Sequence, residues 1–175
     1  MVVAAVSAAV AVRRGGSLSN LASTSFEWTG VLIAALAVQV AADLFAPSDL
    51  SSTGLLIVTY LVVAAFVLRN RMLPGILIAA VGLAMNVLVI SLNGAMPVSR
   101  WAADIAGAES VGNEIGIKHE IADQQTTLPL LGDVIPLPEM GRVISPGDVV
   151  LAAGIAILVY RRTLHEPKAV RRAFG

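Results

Sequence analysis

Two aspartates, Asp133 and Asp148, are the residues of this chain best suited to chemistry. Two carboxylates brought to one site divide acid and base roles, because like charges at close range force one of them to keep its proton. Such a pair would serve hydrolysis. Each aspartate also has a structural reading. Asp148 closes Ser145-Pro146-Gly147-Asp148, which has the spacing of a capping box with proline at the first helical position. There its carboxylate would satisfy free backbone donors and sit well in the field at a helix N-terminus. Asp133 can cap a turn or pair with Lys118, Arg100 or Arg142.

Other polar residues suggest less. His119 shares its segment with Glu120 and Asp123, and Asp133 and Asp148 follow, but the set lacks the spacing of a metal site. No metal and no cofactor are expected. Asp43 is an ionisable residue in an apolar run, which marks a candidate site, although Pro47 soon after puts it near a headgroup level. Gln39 lies one turn inward of Asp43. Asn86 interrupts another apolar run, where an amide holds helices together by hydrogen bonding. Asn93, Met96, His119 and Asp43 are the candidate binding residues. The chain has no cysteine, so disulfides and thiolate chemistry are excluded.

These side chains must be positioned by unusually apolar elements. Hydrophobic residues make up 57% of the 175 and charged ones 14%, and the mean hydropathy is +0.82. Soluble domains carry about 25% charge, so this chain cannot cover a water-exposed globule. A disordered protein and a nucleic-acid binder are excluded on the same ground. A bilayer core of about 30 Å takes about 20 apolar residues in a helix. The predicted helices cover about 1–12, 29–46, 53–68, 73–92 and 146–162. The expected fold is all-α, a bundle of five transmembrane helices in one membrane domain. The first run is short for a crossing, so either the bilayer thins around it or the true start lies upstream. It lacks the basic stretch that precedes the apolar part of a secretory signal.

Charge sorting sets the orientation. Basic residues gather on the cytoplasmic side of membrane proteins. Five crossings put Arg13, Arg14, Arg69, Arg71, Arg161, Arg162, Lys168, Arg171 and Arg172 on one face, against Arg100, Lys118 and Arg142 on the other. The predicted topology is N-terminus out and C-terminus in, with a cytoplasmic tail over 163–175. Trp28, Trp101 and Tyr160 fall at predicted interfaces, where amphipathic rings settle.

Residues 93–145 form a long external loop. Loops beyond about 12–15 residues are functional or disordered, and this one mixes apolar stretches with turn residues instead of serine and glycine. The spacing predicts a short amphipathic helix from Ser99, its cap, with Trp101 and Ile105 turned to lipid. The proline-dense stretch 128–138 cannot form a regular helix or a central strand. It is expected to dock on the outer mouth of the bundle.

Four blocks carry a family resemblance: Asn93-Gly94-Ala95-Met96-Pro97-Val98-Ser99, Lys118-His119, the Leu128–Pro138 stretch Leu-Pro-Leu-Leu-Gly-Asp-Val-Ile-Pro-Leu-Pro, and Ile144-Ser145-Pro146-Gly147-Asp148-Val149-Val150. With Arg14–Ala22, they resemble an uncharacterised bacterial family of small integral membrane proteins, common in actinobacteria. That resemblance implies a fold and no activity. The Asp133 and Asp148 segments also resemble, distantly, the lipoprotein signal peptidase, an intramembrane aspartyl protease. The order departs from that family, because no helix-length apolar run separates Asn93 from Asp133. The expected function is that of a non-catalytic membrane subunit or scaffold, binding a protein partner or lipid through the loop and no nucleic acid. The alternative is an aspartate-dependent hydrolase acting on a lipid or lipidated substrate at the outer surface.

Overall fold

The computed structural model describes residues 2–45, 51–107 and 119–164. They are mostly helical, with α1 (Val2–Arg13), α2 (Leu18–Ala22), α3 (Thr29–Phe45), α4 (Ser51–Arg69), α5 (Ile76–Asn93), α6 (Arg100–Ala106) and α7 (Pro146–Leu164). The five predicted helices are there within a few residues of their expected bounds. α2 was not expected; Ser17 caps it by accepting from the Ser19 N–H at 3.2 Å.

The all-α expectation is corrected by four short strands: β1 (Met96–Val98), β2 (His119–Ile121), β3 (Ile135–Leu137) and β4 (Arg142–Ile144). β1 pairs β2 in parallel, and β3 pairs β4 antiparallel. Proline does not prevent this. Strands of a two-stranded sheet have free edges, where a missing N–H leaves no ladder bond unmade. Pro97 and Pro136 both sit in such strands.

The membrane expectation is met more coarsely than five crossings. Among the described residues one helix, Ile76–Asn93, is both long and apolar enough to cross a bilayer. Val2–Arg13 and Thr29–Val38 are shorter apolar helices. A helix rises 1.5 Å per residue, so α1 covers about 18 Å. α7 is long enough but carries Asp148 at its start and Arg161 and Arg162 near its end.

Two compact units divide the chain. The first comprises 1–6 and 77–157, and the second 7–76 and 158–175. In the first, α5 and α7 approach at glycine. A Cβ on Gly82 would strike the backbone of Leu151 and Gly147, and one on Gly147 would strike the Asn86 side chain. The segment between these helices folds as a cap, with α6 packed on β3 and β4. Ser99 caps α6 through the Ala102 N–H at 3.4 Å, and Gly107 ends it at φ 65°. Ala102, Ala103 and Ala106 are buried, while Trp101 and Ile105 are exposed, as the amphipathic spacing predicts.

In the second unit α3 packs on α4. The side chain of Asn70, 5% exposed, accepts from the Glu27 N–H at 2.9 Å and donates to the carbonyls of Glu27 and Phe66. Arg69 lies 3.8 Å from Glu27 and over the Trp28 ring at 5.1 Å. Ser17 and Asn20 both donate to the Thr163 carbonyl, and Arg14 donates to the Tyr160 hydroxyl at 2.9 Å.

Candidate functional site

The last helix begins with a complete reciprocal cap. The Asp148 N–H donates to Ser145 Oγ at 3.0 Å, and the Ser145 N–H donates to Asp148 Oδ2 at 3.1 Å. Pro146 follows Ser145 at the first helical position, where no N–H is needed. The structural reading of Asp148 is therefore realised in its own backbone. A partner from α5 joins it. Asn86 Nδ2 donates to Asp148 Oδ1 at 2.7 Å, and Ser145 Oγ donates to Asn86 Oδ1 at 2.9 Å. Asn86 does join two helices, as an amide in an apolar run should. Its target, the start of α7, was not visible in the residue pattern.

Asp133 is held by backbone bonds. Its N–H donates to the Pro97 carbonyl at 2.8 Å, and its own carbonyl accepts from the Ser99 N–H at 2.8 Å. This single-residue bridge pairs Asp133 with Val98 on the edge of β1 away from β2. Pro97 suits the arrangement, since the bridge uses its carbonyl and asks for no N–H. Gly132 is required beside it, because a Cβ there would strike the Pro97 carbonyl.

The fold buries one of the two aspartates and leaves the other half-buried. Asp133 is 6% exposed. Burial, and after it the charge of Asp148, together push its carboxyl up from the ordinary 3.8 to about 7. Both causes disfavour the charged form of Asp133. Asp148 is thus bound by two donors, while Asp133 keeps its proton well above the usual carboxylate range.

The candidate binding residues take different places. Asn93 ends α5 and clamps Thr127: its Oδ1 accepts from the Thr127 N–H at 2.8 Å, and its Nδ2 donates to the Thr127 carbonyl at 2.9 Å. It also lines a half-open, largely polar cavity of about 260 Å³, with Pro97, Glu120, Asp123, Gln125 and Thr126. Met96 is buried in β1. His119 stands opposite Met96 in the β1–β2 register, and its side chain, like that of Asp43 in α3, lies outside the described residues. Lys118, Asp49 and the tail from 165 onward, with His165, also lie outside them.

Sequence reasoning missed Gly147 and the link from Asn86 to Asp148. The signal available for Gly147 was its place inside the capping box, where a helix start must be approached closely by another element.

No curated protein and no solved structure matches the chain. A family model does match, over residues 23–160, which takes in α3, the whole cap and α7 as far as Tyr160. That stretch is well over half of the protein, so the chain belongs to the family of unknown function DUF5317.

Proposed function

We propose that this protein is a multi-pass protein of a bacterial cytoplasmic membrane, N-terminus out and C-terminus in. Its cap serves as a non-catalytic platform that binds a protein partner or lipid on the outer face. One observation carries this reading. The cap is tied down by its own hydrogen bonds, yet it leaves large apolar side chains in the open: Leu130 is 79% exposed, Trp101 63% and Met140 58%. Apolar groups on an ordered surface mark interaction sites. The helices present the same pattern on a larger scale. Of the Ile76–Asn93 window only 17% is buried, so its apolar side chains need hydrocarbon or another chain around them.

Contacts inside the second unit support the topology. Arg14 meets Tyr160, and Arg69 meets Glu27 and Trp28, so the end of α1, the start of α3, the end of α4 and the end of α7 contribute to paired clusters of basic and aromatic residues. Five crossings put all of these on the cytoplasmic face. The absence of cysteine makes the test direct. In intact cells a membrane-impermeant maleimide labels Gln125→Cys and spares Arg71→Cys until the cells are opened. Labelling of both before opening rejects the topology. A photo-crosslinker at Leu130 then forms discrete protein or lipid adducts that one at Gln125 does not; equal adducts at both positions reject the platform.

A hydrolase is the second reading, favoured by Asp133 at about 7 beside Asp148. Perturbed carboxyls cluster at catalytic sites. Against it stand the burial of Asp133 and the occupation of both Asp148 oxygens by Asn86 and Ser145. If Asp133→Asn abolished a hydrolytic activity of the purified protein while leaving it folded, this reading would displace the first.

A further inference from the structure

α6 is built inside out for a helix in water. It packs on β3 and β4, and its buried residues are three alanines, Ala102, Ala103 and Ala106. Its two bulky apolar residues, Trp101 and Ile105, stand one turn apart on the open side, 63% and 44% exposed. Arg100 and Asp104, also one turn apart, are a second exposed pair of opposite charge. A helix in water gains most by turning its largest apolar groups to the core. This one buries the groups with least to gain. The cap that carries α6 is fixed to the end of α5, since Asn93 Nδ2 donates to the carbonyls of both Val89 and Thr127. Arg100 is seven residues beyond Asn93, a reach of at most about 25 Å. Among the described residues α5 is the helix long and apolar enough to cross a bilayer. Its exposed apolar residues continue to the last turn, through Val81, Leu88 and Leu92. One boundary of the hydrocarbon is therefore within reach of α6.

We propose that α6 lies in the boundary between headgroups and acyl chains of the leaflet where α5 ends, with Trp101 and Ile105 entering the lipid and Arg100 and Asp104 among the wet headgroups. This rests on the membrane reading above and commits one part of the platform to lipid. An indole suits that boundary, because its body is apolar and its N–H needs a polar partner. Arg100 lays its apolar stem along the same surface and extends its guanidinium to a lipid phosphate. A protein partner would need more than this face offers. Two side chains fall far short of the roughly 800 Å² per side that a stable interface covers. Lipid sets no such threshold, since each apolar group gains singly by leaving water.

The test uses the full chain in phosphatidylcholine nanodiscs. Because the protein has no cysteine, a nitroxide can be attached at one position at a time: Arg100→Cys, Trp101→Cys, Asp104→Cys and Ile105→Cys, with Leu88→Cys in α5 as reference. All five positions are exposed, so the labels leave the alanine face of α6 and its packing intact. Dissolved oxygen relaxes labels in lipid, and a water-soluble nickel chelate relaxes labels in water. The oxygen-to-nickel ratio should be several-fold higher at 101 and 105 than at 100 and 104. Nickel contact at all four α6 positions, with 88 still in lipid, overturns the proposal and leaves the platform to a protein partner. Nickel contact at 88 as well overturns the membrane reading on which the proposal rests. Lipid contact at all four α6 positions also overturns it, because a helix at the headgroup boundary keeps one exposed side wet.

Discussion

Charge is handled in opposite ways in two regions of this protein. In the second unit, Arg69 and Glu27 are of opposite sign, 3.8 Å apart, with side chains 56% and 63% exposed. Where the chain runs from the cap into α7, Asp133 and Asp148 are of the same sign, and Asp133 is almost wholly buried. The exposed pair gains little, since water screens it. A buried carboxylate with a like charge acting on it is costly to ionise. Asn70 and Asn86 extend the contrast. Asn70 is satisfied by backbone groups of Glu27 and Phe66, and so joins two segments without any charge. Asn86 spends its amide on a carboxylate and a hydroxyl. The comparison separates polar contacts made in water's reach from polar contacts that burial makes dependent on their partners.

The largest effect should come from removing the buried charge. Asp133→Asn keeps both backbone bonds and deletes the ionisation. A carboxyl raised from 3.8 to about 7 in the fold contributes stability that is complete below 3.8 and lost as pH rises through about 7. The variant therefore gains nothing near pH 3 and up to roughly 4 kcal/mol at pH 8, read as opening free energy of the cap by hydrogen exchange. A variant no more stable than the natural chain at pH 8 would remove the contrast between the regions.

Next come the glycines. Gly147→Ala and Gly132→Ala force a Cβ into Asn86 and into the Pro97 carbonyl, and each should cost about 3 kcal/mol. Gly141→Ala, with open space around it and φ 59°, should cost about 1 kcal/mol from backbone strain alone. Thermal or denaturant unfolding in micelles checks the ranking.

Asn86→Ala follows, at about 1–3 kcal/mol, because it strips one donor from a half-buried carboxylate. It should also move the Asp133 transition to higher pH, since a less stabilised negative site holds its proton more tightly. Asn70→Ala should cost a similar amount and leave that transition in place. A shift produced by Asn70→Ala, or none by Asn86→Ala, would blur the two regions.

The smallest effect is at the exposed pair. Glu27→Gln should change stability by less than about 1 kcal/mol, and less still in high salt.

Helices were legible because their signal is local. Apolar runs bounded by proline and arginine placed α3, α4, α5 and α7 to within a few residues. Ser99 and the Ser145–Asp148 spacing announced their caps, since a cap is made by residues three apart. The strands were not legible. β1 and β2 are three residues each and parallel, and a proline stands in the middle of β1; no alternation can develop over three residues. The site was legible only in part. Asp133 and Asp148 stood out by type, but each had a bland local alternative, and nothing local said that β1 would carry Asp133 to α7.

What the sequence by itself determined is the solvent preference of its elements, the starts and stops of its helices, and membership of a family through residues 23–160. These follow from hydropathy and from contacts within one turn. The tertiary structure alone decided that Asn86 reaches Asp148, that Gly132 and Gly147 are places with no room for a side chain, and that Asp133 is buried. The reason is that burial and charge repulsion depend on distances across the chain, and those exist only once the cap has closed on α5 and α7.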